Sequence, residues 1–94
     1  MVEALADLAR GTRAMEAKDY AAKSKHLSHA ATIVAALEAS LDHAKGGEIA
    51  GSLTIIYKFV RQRILRGAAK NDPAQLRAAS SALAEIADAW RQIR

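Results

Sequence analysis

Asn71-Asp72-Pro73-Ala74-Gln75-Leu76-Arg77-Ala78-Ala79-Ser80-Ser81-Ala82-Leu83-Ala84-Glu85-Ile86-Ala87-Asp88-Ala89-Trp90-Arg91-Gln92-Ile93 carries a helix and its start signal together. Asp72 is placed to cap. Pro73 suits the first helical position because its missing N–H is an orphan there anyway, and Gln75 completes a capping box. Leu76, Ala79, Leu83, Ile86, Trp90 and Ile93 then recur at spacings of three and four, which puts them on one face of a helix. A chain that opens a long amphipathic helix so abruptly, after a stretch patterned the same way, is built from helices packed on helices.

Working back from that boundary, the third helix is expected to run to about Ala69, with Ile49, Leu53, Ile56, Val60 and Ile64 as its seam. Gly46-Gly47 precedes it and reads as the stop of the second helix, since glycine tolerates the backbone angles that close a helix. That second helix spans about Tyr20 to Ala44. Its seam is Leu27, Ala30, Val34, Leu37 and Leu41. Lys18-Asp19 breaks the chain before it, with Asp19 as cap. The first helix covers about Val2 to Ala17, with Leu5, Leu8, Ala9, Thr12 and Met15 facing inward and Gly11 weakening it by about 1 kcal/mol relative to alanine. Short connections between amphipathic helices force antiparallel neighbours. The fold class is therefore all-α: an antiparallel up-down four-helix bundle with a short first helix, residues 1–94 forming one domain. Leu37, Leu41, Leu53, Ile56, Leu83 and Ile86 are the expected core.

Composition bounds the rest. With 94 residues the chain builds one modest core, and 51% apolar residues exclude a disordered chain. No cysteine is present, so disulfides and thiolate metal sites are excluded and a reducing, cytoplasmic location is expected. No apolar run reaches the ~20 residues that span a bilayer, so no membrane insertion is expected. No phosphate-binding glycine loop, nucleophile elbow or zinc-protease motif occurs, and the expectation is a protein that is not an enzyme and needs no cofactor. His26 and His29 share a face of the second helix, but a metal site needs a third ligand and His43 is too far along to supply it. The net charge is +4, and Arg61, Arg63, Arg66 and Lys70 concentrate toward the end of the third helix. Cations there complement the helix dipole. A small basic helical nucleic-acid-binding protein is one alternative function, although long helices with basic residues interleaved among seam residues argue against it.

Apolar residues in excess of the seams point elsewhere. Ile33 stands one residue before Val34, and Ile55 and Phe59 stand in the same relation to Ile56 and Val60, while Tyr57 and Leu65 lie on the other flank of the third helix. On antiparallel neighbours, the two displaced stripes either both face the groove between the second and third helices or both turn away from it. Ile33, Ile55, Tyr57 and Phe59 are the candidate partner-binding residues, with Phe59 foremost because large aromatics dominate interface energy. An apolar groove of this kind accepts an amphipathic helix. A second alternative is a structural module that only self-associates: a short first helix leaves seam residues uncovered, and a twofold homodimer would bury them.

One set of residues also carries a family likeness. Ala39-Ser40-Leu41-Asp42, Gly46-Gly47-Glu48-Ile49-Ala50, Leu53, Ile56-Tyr57, Arg63, Asn71-Asp72 and Ala89-Trp90, together with the turn Lys18-Asp19-Tyr20, resemble the flagellar export chaperone family FliS across essentially the whole chain. The resemblance implies a cytoplasmic bacterial chaperone that binds the disordered C-terminal segment of flagellin, prevents premature polymerisation and helps deliver it to the flagellar export apparatus. Lys58 stands where the family carries an acidic residue, and Phe59 replaces a second aromatic. The chain begins near a motif that family members place within their first helix, so an N-terminally shortened member is expected.

Overall fold

The computed structural model describes residues 2–93, with the side chains of residues 43 and 89–93 left aside. Four helices follow one another, α1 (Val2–Glu16), α2 (Tyr20–Ala39), α3 (His43–Lys70) and α4 (Pro73–Ile93), with no strand among the described residues. Each packs against its neighbour in sequence, and α4 closes the ring onto α1. The product is the all-α four-helix bundle expected, 44 Å long and 22 by 18 Å across.

Two of the three turns use one device. Lys18 sits at φ 62° and Asn71 at φ 50°, both left-handed. At the first, the Lys18 N–H reaches the Met15 carbonyl and the Asp19 N–H reaches that of Ala14, the paired bonds that close a helix end. At the second, the Asp72 N–H reaches the Gly67 carbonyl at 3.0 Å. The aspartate that follows then starts the next helix, Asp19 accepting from the Ala22 N–H and Asp72 from the Ala74 N–H. The Gln75 side chain does not complete a capping box; it accepts from Arg63 instead, at 2.6 Å.

The third turn departs from the expected boundary. α2 stops at Ala39, five residues before Ala44, and Asp42 caps a fresh helical turn by accepting from the Lys45 N–H at 3.0 Å. Gly47 (φ 52°, ψ −125°) then kinks α3, a conformation essentially reserved for glycine. The glycine pair therefore bends the start of α3 rather than ending α2. Ser-Leu-Asp is the real boundary because an aspartate cap outcompetes continuation of the helix.

The core is lined by Ala4, Leu8 and Met15 from α1, Leu27, Ala30 and Val34 from α2, Tyr57, Val60 and Ile64 from α3, and Leu76, Ala79, Leu83 and Ile86 from α4. Leu83 and Ile86 are buried as expected. Leu37, Leu41, Leu53 and Ile56 are only partly buried against that core, and the seam residue Ile49 is 72% exposed. The geometry explains this. Asp7 of α1 lies opposite His26 and His29 of α2, so the five residues before Asp7 carry α1 only about 7.5 Å further, roughly level with Val34. Among the described residues, α1 reaches no further along α2 than this level. Trp90 and Ile93, the last two residues of the α4 seam, lie outside the described side chains.

The α1 seam also shifts, to Ala4, Leu8, Gly11 and Met15. Gly11, which weakens an isolated helix, lets α1 and α2 approach: a Cβ there would stand 2.8 Å from the Leu27 Cγ.

Candidate functional site

On α3, residues 53, 57, 60 and 64 form a four-three-four line as good as the one through Ile56, and the structure follows it. Tyr57 lies in the core at 2% exposed, which corrects its assignment as an off-seam contact residue. The displaced Ile56 becomes a flank residue. Ile55 and Phe59 remain outside, 71% and 37% exposed. Together with Leu53, Ile56, Ala82, Glu85 and Ile86 they line an open groove of about 430 Å³ between α3 and α4. Every lining residue but Glu85 is apolar.

Of the four candidates, then, the structure brings together Ile55 and Phe59. Ile33 is half-buried against the core on the flank of α2 that turns to α1, four residues after His29. The displaced stripes thus turn away from the α2–α3 groove, one of the two arrangements left open by the sequence. That groove is polar on its outer side, where Arg61 pairs with Glu38 at 2.6 Å beside Thr54, Ala35 and Ala39.

The α3–α4 groove ends on a cation. One helical turn past Phe59, the Arg63 guanidinium lies over the Phe59 ring, 4.9 Å from its centre, and donates to the Gln75 side-chain oxygen. Arg63 thus reaches a neutral amide. Arg66 follows on the same flank and is exposed.

Two polar clusters escaped the sequence reading. Asp7 is 4% exposed and receives His29 Nδ1 on one carboxylate oxygen and His26 Nδ1, at 3.4 Å, near the other, with Arg10 at 3.7 Å. The two histidines therefore meet a carboxylate across the α1–α2 interface. Among the described residues no three His, Asp or Glu side chains are arranged to hold a metal ion. Lys23 is 8% exposed. Its ammonium lies 5.1 Å from the Tyr20 ring centre and donates to the Ala68 carbonyl at 2.9 Å and to the Asn71 side-chain oxygen at 2.7 Å, satisfying the C-terminal end of α3. Its position four residues before Leu27, on the seam itself, was the available signal.

Among the described residues no helix is long and apolar enough to cross a membrane. The sequence matches the family model described as flagellar protein FliS over residues 1–94. It is 38% identical over 87 residues to the flagellar secretion chaperone FliS of Salmonella typhimurium, covering 92% of this chain and 64% of that protein. It is 33% identical over 93 residues to the chaperone of the same name from Vibrio cholerae, covering 99% of this chain and 68% of the relative. To the flagellar secretion chaperone FliSB of Pseudomonas aeruginosa it is 31% identical, covering 88% and 66%. The chain thus spans about two thirds of the length of these relatives. With the match running through every helix that builds the groove, the chain belongs to the FliS family of flagellar proteins.

Proposed function

We propose that this protein is a cytoplasmic export chaperone that binds the C-terminal segment of flagellin, keeps it from polymerising before secretion and presents it to the flagellar export apparatus. Its role is binding rather than catalysis. The observation that carries the reading is the exposed apolar groove of Ile55, Phe59 and Ile56 on α3 against Ala82 and Ile86 on α4. An amphipathic helix laid there covers apolar surface that the bundle leaves in water, and the ordering entropy of a disordered client keeps the complex releasable. Ile33, on the flank of α2 that turns to α1, stands apart from this groove as a separate contact, and Tyr57 holds α3 in place from the core side. The relatives' names, flagellar secretion chaperones, support the same role.

The nucleic-acid alternative finds less support: Arg61 is engaged with Glu38 rather than presented. The test is a titration with a flagellin C-terminal peptide. Phe59→Ala is expected to weaken binding by more than ~1 kcal/mol with helical content unchanged. A chain that ignores the peptide but binds a DNA duplex with a steep salt dependence would sink the reading.

A further inference from the structure

We propose that Arg63 is a carboxylate receptor at the basic end of the α3–α4 groove, and that the helix docking there carries an aspartate or glutamate about two turns from its apolar anchor. The inference rests on the groove reading above and adds the chemistry of the occupant.

Arg63 is half-buried, yet the partners it has are weak for a guanidinium. It donates to the amide oxygen of Gln75 and lies on the face of Phe59. No carboxylate stands within ion-pair distance of it among the described residues, whereas Arg10 and Arg61 each have one. A guanidinium offers five N–H donors in a planar fork that matches a carboxylate with two parallel bonds. The Gln75 oxygen takes one of its nitrogens. Stacking on Phe59, itself a groove residue, holds the fork at the groove's edge.

The groove is also electrically directional. Arg63 stands one turn beyond Phe59, with Arg66 exposed on the same flank, while Glu85 is the one charged residue in the lining. Arg63 is eight residues past Ile55 along α3, about 12 Å at 1.5 Å per residue. A helix whose apolar residues settle between Ile55 and Ile86 therefore brings a carboxylate to Arg63 when that carboxylate lies about two turns along. An aspartate or glutamate at that distance gains a charge-assisted bond in a site already partly dry, and a lysine there meets two like charges.

The experiment titrates a flagellin C-terminal peptide, and versions in which each Asp or Glu is singly replaced by Asn or Gln, into the wild-type chain, Arg63→Gln, Arg63→Lys and Phe59→Ala. The peptide changes leave folding of the chaperone untouched. One replacement is expected to weaken wild-type binding about tenfold, the size of one hydrogen bond to a charged group. Arg63→Gln is expected to lose the same factor and to be indifferent to that replacement, with Arg63→Lys recovering part of it. If Phe59→Ala weakens binding but no acidic replacement couples to Arg63, the carboxylate receptor is overturned and the groove reading stands. If the wild-type chain does not bind the peptide, or Phe59→Ala binds it equally well, both fall together.

Discussion

The two ends of this bundle are built on opposite principles. At one end the α1–α2 and α3–α4 turns each close with a left-handed residue and restart with an aspartate cap, and Lys23 ties the start of α2 to the end of α3. At the other, a single cap at Asp42 and the kink at Gly47 join α2 to α3. There Leu37, Leu41 and Leu53 are half-covered and Ile49 lies in water. Polar turn chemistry can fix where helices stop without help from the core. The consequence is that one end can hold the architecture while the other keeps apolar surface uncommitted. Regions with few buried apolar contacts sit at the low end of local stability, which suits the accept-and-release role proposed above.

The contrast can be broken most directly in the core. Leu83 is fully buried and Leu53 half-exposed. Leu83→Ala is expected to cost about 2–5 kcal/mol in a urea melt, and Leu53→Ala less than ~2. Equal losses would mean that the open end is as consolidated as the centre.

Gly11→Ala sharpens the point at the α1–α2 interface. Helix propensity alone favours alanine by about 1 kcal/mol. The crowding against Leu27 opposes it with about 1–3 kcal/mol of overpacking, so net destabilisation is expected. A higher midpoint in the mutant would show that α1 is free to slide away from α2.

The smallest effect compares the caps. Asp72→Ala is expected to cost about 1 kcal/mol, typical of a lost N-cap ahead of a long helix. Asp42 caps only one turn before a kink, so Asp42→Ala is expected to cost about 0.5 kcal/mol in a thermal melt, the low end for a lost cap. The reverse order would place the tighter junction at the α2–α3 end.

How far the sequence reveals all this depends on where the physics is local. The bundle, the Lys18-Asp19 and Asn71-Asp72 turns and the buried line Leu76–Ala79–Leu83–Ile86 are legible because caps and periodicity act within a few residues. The α2–α3 junction misleads because two stop signals stand five residues apart, and neighbouring residues alone do not rank Asp42 above Gly46-Gly47. On α3 two stripes share Leu53, Val60 and Ile64, so only packing decides that Tyr57 goes in and Ile56 goes to the flank. Ile55 and Phe59 are recognisable as surplus apolar residues. Which groove they line depends on where α4 lies, and no window on α3 contains that.

Lys23 has a consequence for how the helices find their places. Its two acceptors lie 45 and 48 residues further along the chain, so the contact forms only after α2 and α3 have docked. Sliding α2 against α3 by one turn shifts the two helices by about 5.4 Å. A slip of that size carries the ammonium out of reach of both acceptors and leaves a buried charge without a partner, which costs several kcal/mol. The lysine therefore acts as a key cut for a single register, admitting the native alignment of the hairpin and rejecting its neighbours.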